Sequence, residues 1–105
     1  MKCFVTFRLK PGVTPEQYEE WFRAENVPAV RKMRSLSSYR VWRAVGAMEG
    51  EPPYDFIEEM EFDDRSEFER EVETLPEMAA MLAGWLERIA ENAIVFAVEV
   101  PQEAE

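Results

Sequence analysis

Apolar side chains alternate from Lys2 to Lys10: Cys3, Val5, Phe7 and Leu9 point one way, Phe4, Thr6 and Arg8 the other. Period two with β-branched and aromatic residues is a strand, and Pro11-Gly12 ends it. The period then lengthens. Tyr18, Trp21 and Phe22 lie three and four apart on one helix face, with Glu16, Glu19, Glu20 and Arg23 mostly on the other. Thr14 caps this helix, Pro15 suits its first position and Gln17 completes a capping box. Pro28 lacks an N–H and clashes with the preceding turn, so the helix is expected to kink or briefly end near Asn26 and resume through Val30 and Met33. Period two returns over Ser35–Met48, where Tyr39, Val41, Arg43 and Val45 oppose Arg40, Trp42 and Ala44. After the loop Glu49–Pro53 it returns again over Tyr54–Phe62. There Tyr54, Phe56, Met60 and Phe62 share a face with Glu58, and Ile57, Glu59 and Glu61 take the other.

Asp63-Asp64 then reads as a helix cap rather than a calcium loop, whose further ligand spacing is missing. Phe68 and Val72 form a short apolar face, and Thr74-Leu75-Pro76-Glu77 restarts the helix with the same cap chemistry as at Thr14. Met78, Met81, Leu82, Trp85, Leu86 and Ile89 make a long stripe expected in the core, and Asn92–Val100 is the last strand. The order is βαββαβ, an α+β fold of the ferredoxin-like kind: an antiparallel four-stranded sheet with two helices on one face. Residues 1–101 are read as a single domain and 102–105 as a polar tail.

Two helices cover one sheet face only. The other carries Phe4, Trp42, Ile57, Val95 and Ala97 among polar side chains, a broad apolar patch that a monomer rarely leaves wet. A homodimer through this open sheet face, enclosing a small cavity, is therefore expected. With 12 Lys and Arg against 22 Asp and Glu, the net charge is -10, which repels phosphate backbones and anionic lipid. No nucleic acid and no membrane is expected as a partner, since no window approaches the roughly 20 apolar residues of a span. Without a signal-peptide pattern, cytoplasmic location is the default. The single cysteine, Cys3, excludes an internal disulfide and reads as a small buried apolar residue.

The chain has no His. This removes the Ser-His-Asp triad, haem held by His and nearly all transition-metal sites. Gly12, Gly46, Gly50 and Gly84 are scattered, so no phosphate-cradling loop exists. No cofactor and no metal is expected. What remains for chemistry is the charged set on the open face. Arg8 and Arg40 are placed to reach the side of Glu59 and Glu61, with Trp42, Phe4 and Thr6 as the wall of a ligand site. Glu59 and Glu61 are the acid–base candidates there; the plainer reading is an ion-pair network that fixes dimer register. Asn26 is the third catalytic candidate, beside backbone groups that Pro28 leaves free; the plainer reading is an Asn that satisfies those broken helix bonds.

The stretch Tyr18-x-x-Trp21, then Asn26-Val27-Pro28-Ala29-Val30, then Ser38-Tyr39-Arg40-Val41 resembles the dimeric α/β-barrel superfamily, in particular its EthD-like branch. Lys10-Pro11-Gly12-Val13, Pro52-Pro53-Tyr54-Asp55 and Leu75-Pro76-Glu77-Met78 resemble more closely its REDY-like, HapK-type family, known from prodigiosin-type pigment biosynthesis clusters. The resemblance implies a dimer whose sheets face each other and a small-molecule cavity between helices and sheet. In the wider superfamily a His at the position of Asn26 often takes part in catalysis, whereas Asn orients a carbonyl or hydroxyl but shuttles no proton near neutral pH. Two functions fit these residues. One is a secondary-metabolism protein that binds an aromatic or polyketide-like compound, acting as a cofactor-independent cyclase, isomerase or dehydratase. The other is a non-catalytic ligand-binding or protein-interaction dimer. A cofactor-independent monooxygenase fits less well, since its carboxylate base is expected to be paired with Arg.

Overall fold

The computed structural model describes residues 1–103. The strands are β1 (Lys2–Leu9), β2 (Leu36–Arg43), β3 (Phe56–Phe62) and β4 (Ile89–Ala97), in one sheet of order β2-β3-β1-β4. Every neighbouring pair is antiparallel, with Phe4 opposite Glu59 on one side and Val95 on the other. Two broken helices lie on one face: α1 (Pro15–Trp21) and α2 (Val27–Val30), then α3 (Arg65–Thr74) and α4 (Pro76–Arg88). The βαββαβ order expected from the sequence is the observed order.

Local chemistry sets the helix ends. Thr14 accepts from Gln17 N–H while the Gln17 side chain accepts from Thr14 N–H, the reciprocal capping box. Between α1 and α2 the chain widens into one π-helical turn, Phe22–Asn26, in which Val27 N–H donates to Phe22 O. Pro28 has no N–H to give and its ring crowds the carbonyl four residues back; one extra residue in the turn relieves both. The bulge carries Asn26 into the interior, where it is 2% exposed. Asp64 caps α3 by accepting from Glu67 N–H. At the restart Thr74 does not cap: its hydroxyl donates back to Arg70 O at 2.7 Å, and Leu75 holds the N-cap position without a side-chain bond.

Phe7 centres the core, with ring centroids 5.2 Å from Tyr18, 5.6 Å from Phe56 and 5.3 Å from Trp85. One residue of β1 thus joins β3, α1 and α4, each contact adding to the area burial of large rings. Buried Glu71 on α3 accepts from Arg34 N–H and Ser35 N–H, both at 2.8 Å, and so ties α3 to the α2–β2 turn.

The structure departs from the sequence pattern at several points, among them β3, which begins at Phe56 rather than Tyr54, and β4, which ends at Ala97 rather than Val100. β2 stops at Arg43, because its partner β3 begins at Phe56, the residue opposite. Ile89 leaves the helical stripe to open β4 opposite Leu9, where Arg88 O accepts from Lys10 N–H at 2.9 Å. Leu86 turns outward and is 56% exposed rather than part of the core. Of the expected polar tail, Ala104 and Glu105 lie outside the described residues.

Candidate functional site

The helices do not close completely on the sheet. A cavity of about 310 Å³ remains between α2, α3, α4 and the helix-facing side of the strands, at the low end of the roughly 300–1,000 Å³ typical of ligand pockets. Met33, Met60, Met78 and Met81, four of the chain's six methionines, line it together with Phe68 and Trp85. Unbranched thioethers repack around varied shapes, so the wall is apolar and adaptable.

Three polar side chains interrupt it in a row. Tyr39 on β2 donates its hydroxyl proton to Asn26 Oδ1 at 2.5 Å, and Asn26 Nδ2 donates to Met81 Sδ at 3.5 Å. Glu58 Oε1 lies 3.4 Å from the same Tyr39 hydroxyl. A hydroxyl has one proton. That one proton is aimed at Asn26 Oδ1, the nearer acceptor, and only weakly at Glu58 Oε1. Glu58 is 7% exposed and reaches the cavity. Burial pushes its carboxyl up to about 7, and the Tyr39 hydroxyl offsets only part of that rise. Its other oxygen, Oε2, makes no hydrogen bond among the described residues, and no Lys or Arg lines the cavity. Glu58 is therefore a buried acid without a counterion, poised to change protonation near neutral pH.

Other groups nearby are held neutral. Burial, then the Glu58 carboxylate, raises the Tyr39 hydroxyl far above the usual tyrosine range. Burial pushes the Cys3 thiol up to about 11, in keeping with a structural cysteine. The Tyr18 hydroxyl and Trp85 Nε1 lie together but are sealed from solvent and form no well-aligned hydrogen bond. Among the described residues no three His, Cys, Asp or Glu side chains converge as a metal site.

The site residues named from the sequence fall in two places. Asn26 lines the cavity. Glu59, Glu61, Arg8, Arg40, Trp42, Phe4 and Thr6 lie on the opposite, open face of the sheet, in register with one another. The cation that reaches the carboxylates there is Lys2, 2.6 Å from Glu59 and 3.8 Å from Glu61, rather than Arg8. The Lys2 hydrogen bond holds the Glu59 carboxyl below the ordinary range. Arg8 instead donates to Pro52 O at 2.7 Å, and Arg40 sits opposite Glu59. Glu58 was not among the sequence candidates. The signal for it was its phase: the one charged residue in step with Phe56, Met60 and Phe62.

Residues 1–100 match the family described as REDY-like protein HapK. No curated protein matches the sequence. Among solved structures, HapK from Hahella chejuensis is 18% identical, with a TM-score of 0.70 and all of both chains covered. A dimeric ferredoxin-like protein of unknown function from Thermobifida fusca is 28% identical, with a TM-score of 0.72, covering 92% of this chain and 89% of that one. An EthD family protein from Bacillus halodurans is 20% identical, with a TM-score of 0.72, covering 93% of this chain and 99% of its own.

Proposed function

Because the chain belongs to the family of REDY-like HapK proteins, we propose that it binds a small, largely apolar molecule between its helices and sheet and moves a proton on it with Glu58. The observation that carries this reading is a single buried carboxyl, without a counterion, at the edge of an apolar cavity. Glu58 takes the proton from the ligand in its ionised form and returns it from its protonated form. Tyr39 holds the carboxyl by its hydroxyl, and Asn26 holds Tyr39. Proton removal and return is the common step of isomerisation, cyclisation and dehydration, the reactions that suit an aromatic or polyketide-like compound. The methionine wall supports a ring-bearing ligand.

Two copies are taken to pair through the open sheet face. Trp42 and Val95 are 51% and 54% exposed there, and the Thermobifida fusca relative is described as dimeric. On this reading Glu59, Glu61, Arg8 and Arg40 belong to the interface, as its polar frame.

Native mass spectrometry of freshly purified protein, followed by denaturing extraction, tests the binding. A dimeric mass with a discrete small-molecule adduct is expected, and Leu82→Trp, which fills the cavity from α4, should remove the adduct but not the dimer. An adduct that survives Leu82→Trp would place the ligand elsewhere. Release of the compound chemically unchanged on incubation would favour the non-catalytic binding reading.

A further inference from the structure

The electrostatics of the cavity narrow the kind of molecule that can react in it. Every charged residue on its wall is acidic: Glu58 on β3, and Glu69 and Glu73 one turn apart on α3. Arg65 Nε pairs with Glu69 at 2.7 Å from outside the lining, leaving the wall itself without a cation. Most hydrogen-bond donors that could receive a developing oxyanion are already used or closed off: the Tyr39 proton goes to Asn26, one of the two Asn26 amide protons goes to Met81, and the Tyr18 hydroxyl and Trp85 Nε1 are sealed. Reactions that build negative charge on substrate oxygen need donors or cations aimed at that charge. Here an enolate would form against acidic walls. Positive charge is what this cavity stabilises, because Glu58 lines it and no Lys or Arg does.

We infer that the substrate carries its positive charge on nitrogen, as a protonated imine, and that Glu58 removes a proton from the carbon beside the C=N group. The inference rests on the acid–base reading of Glu58 given above. The balance is simple. The C–H bond breaks, its electron pair becomes a C=C bond, the C=N π pair moves to nitrogen, and the proton bonds to the Glu58 carboxylate. An iminium and a carboxylate give a neutral enamine and a neutral acid, so the step discharges the cavity instead of charging it. Reversal at another position on the carbon framework isomerises the compound and restores Glu58. Such a C–H is far more acidic than one beside a neutral ketone, which suits a weak base in a wall without a cation.

Deuterium exchange measured by proton NMR in heavy water tests this with two probes of similar shape. One is 2-phenyl-1-pyrroline, a cyclic imine; the other is acetophenone, its neutral ketone counterpart. The protein should speed exchange at the carbon beside the C=N group by about a hundredfold or more over buffer, within the usual range for positioned acid–base groups, and leave acetophenone unchanged. Glu58→Gln should abolish the acceleration, while Leu82→Trp, which blocks the cavity, should abolish it without touching the carboxyl. Acetophenone exchanging as fast as the imine would overturn the nitrogen-cation assignment and leave Glu58 as an acid–base group. Exchange of neither probe would overturn the acid–base reading and this inference together.

Discussion

Glu58 and Glu59 are neighbours in sequence and opposite in chemistry. Glu59 has Lys2 at 2.6 Å; Glu58 has an apolar wall and one tyrosine hydroxyl. Because the Glu58 carboxyl rises from 4.5 to about 7 on folding, the native state holds a proton that the unfolded chain releases. Its contribution to stability is fully present below about pH 4.5 and is lost as pH rises towards 7. Glu58→Gln should therefore raise stability at pH 8 by up to about 3 kcal/mol, with the gain vanishing near pH 4, as followed by urea unfolding of both proteins across that range. Stabilisation with loss of function is the pattern of a strained functional group. Tyr39→Phe should act in the other direction. It strands Asn26 Oδ1, a buried acceptor, and should cost about 1–3 kcal/mol in the same assay. The sequence showed that Glu58 shares the apolar phase of its strand, but not that it lacks a partner. Which carboxylate finds a cation depends on the register between β1 and β3, and no single strand carries that information.

Among the elements, the broken first helix was the most legible. Thr14, Pro15 and Gln17 mark its start, and Pro28 marks the break that delivers Asn26 to the interior. The end of α4 was hidden, since Ile89 fits both the helical stripe and the strand. Pairing with Leu9 decides in favour of the strand, a contact some eighty residues away in sequence. β2 is shorter than its pattern for a related reason: Val45 continues the alternation, but no residue of β3 stands opposite to pair with it. The brace between α3 and the α2–β2 turn was not visible either, because the sequence shows Glu71 only as part of an acidic helix face. Burial alone would raise the Glu71 pKa, yet the hydrogen bonds from Ser35 and Arg34 outweigh it and hold the carboxyl below its ordinary value. Its stabilisation is present above the ordinary glutamate range and is lost as pH falls through its depressed folded pKa. Glu71→Ala leaves two backbone N–H groups without acceptors. It should cost about 1–3 kcal/mol for each that stays buried, read as a drop in the urea midpoint at pH 7.

On the scale of the whole molecule, the chain is a slab of 48 × 40 × 18 Å with a radius of gyration of 14.9 Å, against about 13 Å for a compact domain of this length. The thin dimension is one helix layer on one sheet, and the sheet's second face carries Trp42 and Val95 in the open. Composition and alternation predicted this bare face. Sedimentation equilibrium at micromolar concentration should find a dimer, and Val95→Arg, which sets a charge in the patch, should give a folded monomer. The cavity is built from the helices and sheet of one chain, so its chemistry can be measured whether or not the sheets pair. The direct test is carbon-13 NMR of glutamate-labelled protein, following every side-chain carboxyl from pH 3 to pH 9. One carboxyl should titrate near pH 7, vanish in Glu58→Gln and shift when a cavity ligand is added. If every glutamate instead titrates near its ordinary value, Glu58 is an exposed or paired carboxylate, and neither the proton transfer nor the site proposed for it stands.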